Sequence, residues 1–184
     1  MTIQENFKES IANCMAEIMW WQTELSAYDQ EKIADKPGPN SWSIGQVYMH
    51  LLLSSNYFFF KHIEECIKGE KAYKGGRKKL LGYLAFLINA FPPFRFKVPQ
   101  KYTLEPEMPE SVQELDTELE KLRTRLRNFS ENLPTEINLS YKRSHAAFGR
   151  LNALEWMQMM DMHFRHHRRQ KDRIDIYLNT QTAT

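Results

Sequence analysis

From Phe7 the apolar positions recur in steps of three and four, through Ile11, Cys14, Ile18, Trp21 and Leu25 to Tyr28. One side of an α-helix repeats with that period, so the stretch predicts a helix of about seven turns. The segment KPGPNSWS, residues 36–43, ends it, because proline and glycine do not propagate a helix. Ser43 and Gln46 then stand at the spacing of a capping box, ahead of a second helix predicted from Ile44 to about Ile67. Leu51 to Leu53 and Phe58 to Phe60 make that helix apolar nearly all round, which suits a central position in a bundle or a contact with another subunit.

The period is lost between residues 68 and 109, where Gly75, Gly76 and several prolines surround a short apolar helix predicted near 79–90. From Ser111 it returns as Val112, Leu115, Leu119, Leu122, Leu126, Phe129 and Leu133, a third long helix. A loop is predicted from Pro134 to about Leu151. Asn152 and Glu155 form another capping pair, opening a fourth helix that runs to about Leu178. Four amphipathic helices with no strand-like alternation predict an all-α fold, a four-helix bundle with a long irregular insertion between helices two and three. No linker of Gly, Ser or Pro divides the chain, so residues 1–184 are expected to form one domain.

Composition narrows the function classes. An apolar fraction of 42% supports a sizeable core, and 25 basic against 23 acidic residues leave a formal charge of only +2, which does not suggest a nucleic-acid partner. Basic residues do cluster at Arg77 to Lys79 and at Arg165 to Lys171. Two cysteines, Cys14 and Cys66, are too few for a disulfide framework, and the opening MTIQENFKES is polar where a signal peptide would be basic and then apolar. A cytoplasmic location is therefore expected. The mostly apolar stretch LLGYLAFLINAF, 80–91, is twelve residues long and falls short of the roughly 20 that span a bilayer. Surface docking of that segment on a membrane or partner is weighed against burial, as a lid over the bundle or in a homodimer interface. Burial is favoured because the segment lacks a polar face, so no membrane partner is expected and a homodimer is.

The chain has six histidines, and three lie in HFRHHRRQ, 163–170. The seam of the fourth helix reads Trp156, Met160, His163, His167, Gln170, Ile174 and Tyr177, polar only in its middle. His163 and His167 lie about 40° apart around the axis, one turn from each other, while His166 falls on the flank. An i, i+4 pair lets two imidazoles reach one metal ion, and the second helix supplies His50 as a third ligand. The alternative is a hydrogen-bonded pair within a core or on a surface. Gln170 is placed to orient a ligand or to complete the hydrogen bonding of an imidazole. His62, about 120° from the face of His50, is expected at the surface, and His145 in a loop where a turn role is as good a reading as a chemical one.

Three stretches, SWSIGQVYMHL (41–51), HAAFGRLNALEWMQMM (145–160) and HFRHHRRQ, resemble the DinB-like family, whose fold is shared with bacillithiol and mycothiol S-transferases and maleylpyruvate isomerase. The resemblance implies a divalent metal, nickel or zinc, held between one histidine of the second helix and two of the last: His50, His163 and His167. Where the family often has His-Pro before Phe-Gly, this chain has His145 followed by Ala146. The implied activity is transfer of a low-molecular-weight thiol to an electrophile, with a small-molecule substrate as partner and Arg165 or Arg169 available to its carboxylates. The alternative is a noncatalytic bundle that binds a small molecule or a structural metal.

Overall fold

The computed structural model describes residues 1–91 and 106–181. Four long helical stretches form the bundle: α1 (Ile3–Leu25), the pair α3 (Ile44–Leu53) and α4 (Phe60–Lys68), α6 (Val112–Glu131), and α7 (Ala153–Gln181). The short α2 (Gln30–Ala34) sits in the first connection and α5 (Leu80–Leu87) in the insertion. Helix α1 lies between α6 and α7, and the α3–α4 stretch packs against the same two. The predicted seams face inward. Phe7, Ile11, Cys14, Ile18, Trp21 and Leu25 of α1 meet Leu115, Leu119, Leu122 and Leu126 of α6 in one buried core. Ser43 accepts from the amide of Gln46 while the Gln46 side chain accepts from the amide of Ser43, and Asn152 and Glu155 cap α7 by the same reciprocal pair.

The second helix differs from its prediction in one respect. Residues Ser54–Phe59 form a π-helix between α3 and α4, without a break in the chain's course. A π turn holds one more residue than an α turn, which sets back every later side chain by about 100°. His62 is thereby moved from the expected surface to a stack on Trp156, 4.4 Å between ring centroids and 25° between planes. Leu53, Tyr57 and Phe58 remain exposed, so the helix is not enclosed on all sides.

The loop predicted over 134–151 contains a hairpin, β2 (Tyr141–His145) and β3 (Gly149–Asn152), joined by β1 (Tyr73–Lys74) into a three-stranded antiparallel sheet in the order β1-β2-β3. Its residues, YKRSH and GRLN, are too short and too charged to show strand alternation. The sheet anchors the insertion: the Lys79 amide donates to the Phe148 carbonyl at 2.8 Å, and Gly82 of α5 lies so close to that carbonyl that a Cβ would sit 2.3 Å from its oxygen. Helix α5 thus rests on the hairpin by its Gly82 and Ala85 side, whereas Leu80, Tyr83, Leu84, Leu87 and Ile88 are exposed. Within the single chain, burial of this segment is limited to the Gly82 and Ala85 face. The chain after Phe91 in the predicted insertion lies outside the described residues until Pro106. Among the described residues no helix is long and apolar enough to cross a membrane.

Candidate metal centre

His50 stands in the last turn of α3, and His163 and His167 one turn apart in the middle of α7. The packing of α3 against α7 brings the three rings together. His163 Nε2 lies 3.1 Å from His50 Nε2 and 3.2 Å from His167 Nε2, and the three candidate ligand atoms are all within 4.8 Å of one another. Two nitrogens on a tetrahedral ion with bonds of about 2.0 to 2.1 Å would be ~3.3 Å apart, so the spacing suits a first-row metal. Among the described residues this group has three members, with no carboxylate or thiol added.

The hydrogen bonding around the trio tests the fit. Gln170 Oε1 faces His167 Nδ1 at 2.9 Å, which places the proton on Nδ1 and leaves the Nε2 lone pair pointing at the other two rings. One proton shared among three facing Nε2 atoms satisfies a single pair at a time. A cation accepts all three lone pairs at once, so the donor set could hold a metal ion. His163 Nδ1 is buried with no hydrogen-bond partner among the described residues, an arrangement that costs about 1 to 3 kcal/mol unless another interaction offsets it. Burial, and then the neighbouring His166, holds His50 down at about 4, while burial and His50 hold His167 at about 3. His163 is displaced in the same direction by burial and by both partners. The rings are neutral at pH 7, the form that ligates.

Aromatic side chains wall the trio. Trp42 packs on His50 at 5.0 Å, and Phe59, from the π-helix, on His163 at 5.3 Å. Phe91 reaches over from the insertion to lie 6.0 Å from His163 and 5.4 Å from Phe148 of the hairpin. His166 is exposed and meets Phe91 from the flank, outside the trio. His145 closes the hairpin instead: its Nδ1 accepts from the amides of Ala147 and Phe148, both at 3.2 Å, and its ring stacks on Phe148. Of the two arginines considered for substrate, Arg165 is committed to Asp161 and to Asn89, while Arg169 is exposed.

A family model described as the DinB superfamily matches residues 21–170, which includes α3, the hairpin and all three histidines. The chain belongs to the DinB superfamily. No curated protein matches it. In this DinB chain the sequence pattern missed a set of buried charges beside the site, above all Lys171, which is 4% exposed and bonds Glu24 Oε2 and Asp175 Oδ2 at 2.7 Å each. The apolar stepping selected Gln170 for that seam. The i, i+4 spacing of Lys171 and Asp175 was the available signal.

Proposed function

We propose that this protein is a metal-dependent enzyme in which His50, His163 and His167 hold a divalent transition metal, zinc or nickel, and that its reaction is transfer of a low-molecular-weight thiol to a small electrophile. The observation that carries the reading is the convergence of three Nε2 lone pairs, one of them fixed in direction by Gln170. A bound divalent ion supplies charge that lowers the pKa of a thiol or water beside it, so that the nucleophile is ionised at neutral pH. Three neutral imidazoles leave that charge uncancelled, and a trio with no fourth protein ligand among the described residues keeps room for a small molecule, as catalytic zinc sites do and structural ones do not. Trp42, Phe59 and Phe91 restrict water around the trio and offer apolar surface to an electrophile. Sulfur then bonds to carbon as the electrophile's leaving group departs, and the thiol proton passes to solvent.

The noncatalytic reading, a structural ion or a binding pocket, requires the coordination shell to be closed or inert. Elemental analysis of the untagged protein beside His50→Ala separates these readings when followed by a screen of thiols against electrophiles. About one equivalent of metal in the parent, little in the variant, and thiol consumption that tracks metal content is the expected result. No metal in either protein after loading with zinc or nickel would overturn the enzyme reading. A metal-loaded protein inert towards every thiol would leave the ion a structural part.

A further inference from the structure

The face of α5 turned away from the hairpin carries five large apolar side chains in the open. Leu80 is 87% exposed and Leu87 82%, with Tyr83, Leu84 and Ile88 between and beside them. Such a patch on a helix whose opposite side is held by Gly82 and Ala85 needs an explanation, because isolated exposed leucines are ordinary but a contiguous set is not. What surrounds it indicates the occupant. Residues 71–91 include Lys71, Lys74, Arg77, Lys78 and Lys79 and no Asp or Glu, and the hairpin adds Lys142, Arg143 and Arg150, again with no acid. Lys78 is neutralised by Glu155 and Arg143 by Glu65. Three of the others gather at the turn leading into α5: Lys142 Nζ donates to the Gly76 carbonyl, Arg150 to that of Gly75, and Lys79 to that of Ala146. Arg77 and Lys74 are exposed beside them, and Arg150 covers the ring of Tyr73, itself exposed.

We infer that α5 and the basic turn before it dock on an anionic lipid surface, the apolar side chains entering the headgroup boundary and the cations meeting the lipid charge. The sequence pattern weighed against this because the segment shows no polar face. The tertiary structure supplies the missing half of the amphipathic surface by occupying that face with the hairpin. Self-association through α5 with the two helices parallel is disfavoured by the same charges, since that two-fold contact would set one basic turn near another. Tyr73 and Tyr83, each with an apolar ring and a polar tip, suit the boundary between lipid and water.

The test is co-sedimentation of the full chain with vesicles of phosphatidylcholine alone and of phosphatidylcholine mixed with phosphatidylglycerol, for the parent, Leu87→Glu, and the double variant Arg77→Glu with Lys79→Glu. Both variants alter exposed side chains, and unchanged helical circular dichroism confirms that they fold. The parent is expected to bind the mixed vesicles, weakly or not at all the neutral ones, and each variant to partition at least about tenfold less. Absence of binding to either vesicle would overturn the proposal. So would binding that Leu87→Glu leaves intact, since it would rest on charge alone. A parent dimer that Leu87→Glu converts to monomer, without vesicle binding, would assign the face to a second copy instead.

Discussion

Around the histidine trio, one carboxamide separates a ligand set from a cluster of rings. Gln170 holds His167 in the tautomer that directs Nε2 inward, and such orienting partners commonly contribute about 10 to 100-fold in metal affinity. Gln170→Leu is therefore expected to lose that much in competition against a chelator. His163→Ala and His167→Ala should abolish tight binding, and His166→Ala should leave it unchanged. Equal loss in all of them would show that the rings do not act as the geometry assigns. A second residue-scale effect concerns Lys171, whose ammonium lies between Glu24 and Asp175. Lys171→Met leaves two carboxylates facing each other beside the core. Both are partly hydrated, so the expected cost is about 1 to 3 kcal/mol in denaturant unfolding rather than that of a fully buried pair. Unchanged stability would mean that water replaces the ammonium fully.

At the scale of elements, the π-helix and the hairpin shape the pocket, and neither carries a periodic signal. The π turn directs Phe59 at His163 and His62 at Trp156. The hairpin depends on His145, whose Nδ1 must be unprotonated to accept two amides. Burial, with His62 and Lys79 nearby, pushes that imidazole down to about 4 from 6.5. A base with a depressed folded pKa takes up its proton more readily when unfolded. Its neutral form therefore supports the fold above pH 6.5, and that support is lost as pH falls from about 6.5 towards 4. His145→Gln should be less stable at pH 7 and lose less over this interval, measured by urea unfolding at a series of pH values. Parallel pH profiles for parent and variant would show that His145 keeps its proton affinity on folding.

For the whole molecule, the apolar core is large enough that the bundle is expected to form without an ion. The seams of α1, α3–α4, α6 and α7 enclose one continuous apolar interior, unlike small domains that fold only around zinc. Chelation is expected to preserve helical circular dichroism while lowering the melting temperature, and reloading should restore it. Free metal at 100 times its dissociation constant would contribute about 2.7 kcal/mol. A melting temperature indifferent to metal would show that folded and unfolded chains bind it equally or not at all. Collapse of the helical signal would show that the ion holds the bundle together.

The bundle can be read from the chain alone, because a helix is a local structure and its buried face repeats at 3.6 residues wherever the chain lies. Caps at Ser43 and Asn152, the inward seams, and the shared face of His163 and His167 were legible for that reason. His50 could be proposed as their partner, but its approach to within hydrogen-bond distance of His163 arises from the packing of α3 on α7. Tertiary structure also decided what has no period: the π turn, the short charged strands, the buried pairing of Lys171, and which side of α5 is covered. Each depends on residues distant in sequence satisfying one another's hydrogen bonds, charges or apolar surface, and such satisfaction leaves no repeat along the chain.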